Sequence, residues 1–133
     1  GCVCDLGEDL ILSKAVVKDN AKAAQGSVTH VDDKLCSIST AQVLPNTLKL
    51  VLLYFSGRWC PICAEFDNVL RDVCASLKSL PERADMEFVW VSCDLSEDAF
   101  KAHLRRLGPM FASRWSPKRL QEVTARWELK AIP

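Results

Sequence analysis

LKLVLLYFSGRWCPIC, residues 48–63, joins a run of apolar residues to two cysteines with only two residues between them. From Leu50 to Phe55 the run is unbroken and rich in strand formers. It is too short for an ordinary helix and reads as a strand buried on both faces, of the kind found in a parallel or mixed sheet covered by helices. Immediately afterwards the period changes. Ile62, Phe66, Val69, Leu70, Val73, Leu77 and Leu80 recur at three- and four-residue steps, which predicts a helix with one apolar stripe ending before Pro81. Cys60 therefore falls directly after a strand, at the first turn of a long helix.

That address bears on chemistry. At a helix start the backbone N–H groups point outward without intrahelical partners and the dipole is positive, so a thiolate is stabilised there. Cysteines so placed titrate at about 3.5–7.5. Cys60 is expected to be the attacking thiol, exposed at the helix tip. Cys63 follows about one turn later, more buried and close enough to resolve a mixed disulfide. Pro61 suits the first turn, where its missing N–H is not needed, and Trp59 offers an apolar platform beside the sulfur. A zinc site would need further ligands, usually a second spaced pair. The other close pair, Cys2-x-Cys4, has the wrong spacing, and His30 and His103 read as solvated or core histidines. No metal ligand is therefore assigned, and a Cys-x-x-Cys in a βαβ-like pattern reads as redox.

Outward from this stretch the chain continues in the same style. MEFVWVSCD, from Met86, predicts a second strand. Ser96 can cap the next helix, with Glu97 and Asp98 favourable in its first turn and Arg105 and Arg106 in its last. Gly108 and Pro109 end it. Ser116-Pro117 starts a third helix, with Leu120, Val123 and Trp127 on its buried face. Upstream, SVTH and LCSIS flank VDDK and suggest a short hairpin, while residues 1–27 carry little pattern. The order strand, helix, strand, helix, helix argues for one α/β domain over residues 1–133, with 1–27 as an N-terminal extension.

Composition narrows the function classes. Seventeen basic and seventeen acidic residues cancel among 133, so no charge excess draws the chain to nucleic acid. Arg105-Arg106 and Lys118-Arg119 are isolated doublets. No apolar run approaches the roughly eighteen residues of a membrane span, and the start lacks the pattern of a secretory signal. Seven cysteines in a chain that is 49% apolar need not be staples. Cys36, Cys74 and Cys93 lie in apolar stretches and read as small buried hydrophobes. A reducing, cytoplasmic setting fits. The opening Gly1-Cys2-Val3-Cys4 resembles the start of dually acylated proteins, although the myristoylation pattern wants Ser or Thr where Asp5 or Leu6 stands.

VLLYFSGRWCPIC, then EFVWVSCDLSEDAF, then LQEVTARWELKAIP resemble the tryparedoxin/nucleoredoxin branch of the thioredoxin superfamily, from about Leu48 to Pro133. The resemblance implies a thioredoxin-like fold, a central mixed sheet flanked by helices. It also implies a small dithiol–disulfide oxidoreductase, reducing protein disulfides in cell redox homeostasis and peroxide detoxification. By position, Cys60 is the nucleophile and Cys63 the resolving thiol. Trp59 and Pro61 complete the motif, and Ile132-Pro133 matches the loop in which a cis-proline faces the cysteine pair and backbone binds substrate. Tyr54 stands where tryparedoxins carry tyrosine. No bound cofactor is implied, only an external dithiol donor such as trypanothione, glutathione or a thioredoxin system. Disulfide-containing proteins such as peroxiredoxins are the implied partners. Ile62 replaces a second proline, and Ala64 and Glu65 stand where a basic residue is usual. The alternative within the branch is a nucleoredoxin-like interaction module whose partner release is redox-regulated. In this fold a further strand and a helix follow the cis-proline. Their absence before Pro133 predicts that the Leu50–Phe55 strand is left as an apolar edge.

Overall fold

The computed structural model describes residues 9–13, 28–30, 35–108, 110–126, 128, 130 and 132. Three short strands come first: β1 (Asp9–Ser13), β2 (Val28–His30) and β3 (Leu35–Ser39). A single turn of helix, α1 (Thr40–Val43), leads to β4 (Leu50–Ser56) and the long helix α2 (Pro61–Lys78). After a 3-10 turn at Pro81–Arg83 come β5 (Met86–Ser92), α3 (Glu97–Leu107), β6 (Phe111–Ser113) and α4 (Pro117–Arg126).

The helix boundaries follow from local chemistry. Pro61 occupies the first turn of α2, and Ser96 caps α3 by accepting the Ala99 N–H at 3.1 Å. Gly108 closes α3 with φ of 74°, a left-handed conformation that a Cβ disfavours. Arg105 and Arg106 lie in its last turn, facing the negative end of the dipole.

Among the described residues, six strands form one mixed sheet in the order β2-β3-β1-β6-β5-β4. β4 and β5 run parallel from Leu50 beside Met86 to Ser56 beside Ser92, and β6 lies parallel on the far side of β5. The remaining pairs are antiparallel. Strand alternation divides the core between the two faces. Val89 and Val91 point to a cluster with Leu10, Ile38, Val43 and Phe111. Phe88 and Trp90 point the other way, to Tyr54, Cys74, Phe100, Leu104 and Met110. Full burial of such side chains is worth about 1.5–3 kcal/mol each, and it locks α2 and α3 onto one face.

Several sequence expectations are corrected. β4 is not buried on both faces: Leu50 is 48% and Leu52 38% exposed. Its position explains this, because among the described residues β4 is the outermost strand, paired only with β5. The apolar stripe of α2 is likewise broader than the face that packs. Cys63 and Cys74 are buried, with Leu70 and Leu77 packed beside the core, whereas Ile62, Phe66, Val69, Val73 and Leu80 remain exposed. Two strands escaped the reading altogether, β1 within the unpatterned start and β6 between α3 and α4. The hairpin of β2 and β3 was anticipated and pairs antiparallel. Cys36, Cys74 and Cys93 are buried as small hydrophobes should be. Gly1, Cys2, Cys4, Pro109, Trp127 and Pro133 lie outside the described residues. Among those described, no helix is long and apolar enough to cross a membrane.

Candidate functional site

The parallel register of β4 and β5 brings the loops that follow them together, at the carboxyl end of the sheet. Cys93 N–H donates to the Ser56 carbonyl at 2.8 Å, carrying the pairing one step beyond the strands. The first loop makes a turn, Cys60 N–H to the Gly57 carbonyl at 3.1 Å, and delivers Cys60 to the N-cap of α2. There the Cys60 Sγ accepts the Cys63 backbone N–H at 3.4 Å. This inward turn corrects one expectation. Cys60 is only 8% exposed, because its sulfur folds back over the first turn of the helix instead of projecting outward.

The two sulfurs are not equivalent. Cys60 is lowered below its ordinary value, first by a hydrogen bond from the Cys63 side chain and then by the Cys63 backbone N–H. Cys63 is wholly buried, and burial together with donation to Cys60 pushes it up to about 11. The helix N-terminus thus acts through a specific donor, and the neighbouring thiol contributes more than that donor. Cys60 therefore gives up its proton more readily than Cys63, which holds its own well above neutral pH. That division is what stepwise thiol–disulfide exchange requires.

Trp59 is 56% exposed, yet it is anchored by its indole Nε1–H, which donates to the Cys93 carbonyl at 2.7 Å. Gly57 permits this: a Cβ there would stand 2.5 Å from Trp59 Nε1 and 3.1 Å from the Cys93 carbonyl oxygen. Ile62 and Phe66 extend the exposed apolar surface along α2. The structure therefore brings Trp59, Cys60, Pro61 and Cys63 together. Ile132 is partly exposed, and Pro133 lies outside the described residues.

Behind the pair is a polar cluster that the sequence reading missed. Tyr54 donates its hydroxyl to Asp67 Oδ1. Asp67 Oδ2 lies 2.6 Å from His103 Nε2, and His103 Nδ1 lies 3.0 Å from Asp94 Oδ2. Asp94 Oδ1 accepts the Arg58 backbone N–H at 2.7 Å, and Asp94 Oδ2 accepts the Ser92 hydroxyl at 2.6 Å. Burial alone would raise both carboxyls, but their bonds to His103 win and both are lowered. Likewise burial would lower His103, and the two aspartates raise it instead. A signal for His103 existed: it shares the apolar stripe of α3 with Phe100, Leu104 and Leu107. A histidine there needs a buried partner, though nothing local says which. Among the described residues no group of three His, Cys, Asp or Glu side chains is placed to hold a metal ion.

Comparison with known proteins agrees with this fold. Residues 46–133 match the thioredoxin-like family, and the chain belongs to it. A probable nucleoredoxin 3 from rice, Oryza sativa subsp. japonica, is 34% identical over 85 residues, 64% of this chain and 18% of that protein. Tryparedoxin II from C. fasciculata superposes with a TM-score of 0.56 at 30% identity, covering 68% of this chain and 58% of that one. A tryparedoxin II structure in complex with glutathionylspermidine gives a TM-score of 0.55 at 27% identity, covering 68% and 61%. The chain thus spans less than a fifth of the nucleoredoxin and under two thirds of the tryparedoxin.

Proposed function

We propose that this member of the thioredoxin-like family is a dithiol–disulfide oxidoreductase of tryparedoxin type, working through Cys60 and Cys63 in a reducing compartment such as the cytoplasm. The observation that carries the reading is the Cys60 sulfur at the N-cap of α2, accepting the Cys63 backbone N–H at 3.4 Å, beside a wholly buried Cys63 thiol. In the first step the Cys60 thiolate attacks one sulfur of a substrate disulfide. A mixed disulfide forms and the other substrate sulfur leaves as thiolate. In the second step Cys63 gives up its proton and attacks the Cys60 sulfur. The second substrate thiol is released, and a Cys60–Cys63 disulfide remains. Two electrons have passed to substrate, and an external dithiol must return them.

Trp59 and Pro61, beside the pair, would meet the substrate first, and the Ile132-Pro133 loop would supply backbone to it. Glutathionylspermidine bound to a tryparedoxin II supports a thiol of the trypanothione class as donor, and disulfide proteins such as peroxiredoxins are the acceptors in this reading. The test is turnover: a disulfide-bonded model protein is offered with dithiothreitol or trypanothione as donor. Cys60→Ser should abolish turnover, and Cys63→Ser should accumulate the mixed disulfide. A second reading, a nucleoredoxin-like module that grips partners without turnover, is favoured by the exposed Trp59 and Ile62 beside the pair. Stoichiometric capture with no turnover would select it.

A further inference from the structure

His103 is 2% exposed and has a carboxylate oxygen on each ring nitrogen, Asp67 at 2.6 Å and Asp94 at 3.0 Å. Carboxylates accept, so a ring satisfying both must donate from both, and only the imidazolium carries two N–H groups. The cluster therefore holds two negative charges and one positive. Its three members come from three places in the chain: Asp67 from α2, Asp94 from the loop after β5, and His103 from α3. Tyr54, from β4, faces the cluster through its bond to Asp67. From β5 the neutral ring of Trp90 packs against the imidazole, centroids 4.4 Å apart.

Two connections lead from this cluster to the sulfurs. Asp67 is four residues beyond Cys63 on the same helix, so the two share a face with Cβ atoms about 5–6 Å apart. A carboxylate at that distance opposes ionisation of the buried thiol, and its charge acts on both Cys63 and Cys60 in that sense. Asp94 binds the Arg58 backbone N–H, two residues before Cys60. One imidazolium thus ties together the helix that carries Cys63 and the loop that presents Cys60.

We propose that His103 is a positioning residue of the dithiol: it holds the Asp67 carboxylate one helical turn behind Cys63, where that charge keeps the Cys63 proton in place, and through Asp94 it fixes the loop bearing Cys60. The inference rests on the dithiol reading above. Linkage makes it reciprocal. If the Asp67–His103 pair senses the sulfurs, then His103 must hold its proton to higher pH in the reduced protein, where Cys60 can ionise, than in the oxidised protein, where both sulfurs are neutral.

The experiment is a pH titration of the His103 ring signals by NMR, on the 133-residue chain in both redox states. It is paired with the pH profile of Cys63 alkylation in a Cys60→Ser background, with and without Asp67→Asn. The expected result is a higher His103 midpoint in the reduced protein and a Cys63 midpoint lowered by about one unit in Asp67→Asn. Equal His103 midpoints in the two states, or a Cys63 midpoint unmoved by Asp67→Asn, would overturn the proposal and leave the dithiol reading standing. The first measurement needs no variant, so misfolding of a mutant cannot shield the idea. Failure of the wild-type chain to form a reversible Cys60–Cys63 disulfide would defeat the dithiol reading and this inference with it.

Discussion

The five cysteines in the described residues are all buried, yet their chemistry should differ widely. Burial pushes Cys74 and Cys93 up to about 11, as it does Cys63. A thiol titrating there is ionised to about one part in ten thousand at pH 7, whereas one lowered below its ordinary value is ionised far more often. Iodoacetamide at pH 7 should therefore label Cys60 well before the others, and peptide mapping at short times would show it. Equal rates at Cys60 and Cys74 would sink the argument. Gly57 makes a second test at this scale. Its hydrogen sits where a Cβ would crowd Trp59 and the Cys93 carbonyl. Gly57→Ala must push the indole off that carbonyl, losing a hydrogen bond of about 1 kcal/mol. A red-shifted Trp59 emission, read in a variant lacking the other tryptophans, should report the release. An unchanged spectrum would show that the loop yields instead.

At the scale of elements, α3 is where electrostatics should be measurable as stability. His103 is raised, so its contribution is fully present below its unfolded value of 6.5 and is lost as pH rises through the higher folded value. Asp67 and Asp94 are lowered, so theirs is present above their unfolded value of 3.8 and is lost as pH falls through the lower folded values. Thermal stability should accordingly be greatest between about pH 4 and 6.5 and fall on both sides. In His103→Ala, which leaves the buried Asp94 and the partly exposed Asp67 without their shared cation, stability should drop by about 3 kcal/mol. A wild-type melting temperature that keeps rising from pH 6.5 to 9 would contradict the sign. At the other end of the helix, Ser96→Ala removes the cap on Ala99 and should cost about 1 kcal/mol in urea unfolding, without touching the thiols.

The same helix shows what a sequence can and cannot disclose. Its start at Ser96 and its end at Gly108 were both legible, because each depends on neighbours within a turn or two. The cysteine pair was legible for the same reason: strand, motif and helix stripe are contiguous from Leu50 to Leu80. The bonds of His103 were not, since Asp67 is 36 residues away and belongs to another element. β1 and β6 were hidden differently. DLILS and FAS are too short to show a period, and they become strands by pairing with each other and with β3 and β5. The continuous apolar run of β4 also misled, because a run without alternation does not say whether both faces are covered.

Across the whole molecule that last point becomes a prediction about behaviour in solution. β4 lies at one side of the sheet with β5 as its only partner among the described residues. Leu50 and Leu52 stand exposed along it, and Ile62, Phe66, Val69 and Val73 stand exposed on α2. An apolar edge strand offers unpaired N–H and C=O groups to another edge, and natural edges are usually blunted by charge, proline or a bulge. Leu50–Ser56 carries none of these: its sequence is LVLLYFS, without a charged residue or a proline. Every exposed Å² of apolar surface that two copies remove from water adds about 25 cal/mol to their association. The 133-residue chain should therefore self-associate as its concentration rises, under reducing conditions that exclude disulfide cross-links. Leu52→Lys places a charge on the edge at a position already 38% exposed. It should shift the equilibrium toward monomer while changing folding stability by less than about 1 kcal/mol. Sedimentation velocity over a hundredfold range of concentration would decide. A wild-type chain that stays monomeric throughout, or a Leu52→Lys variant that associates as strongly, would show that the edge is not where copies meet.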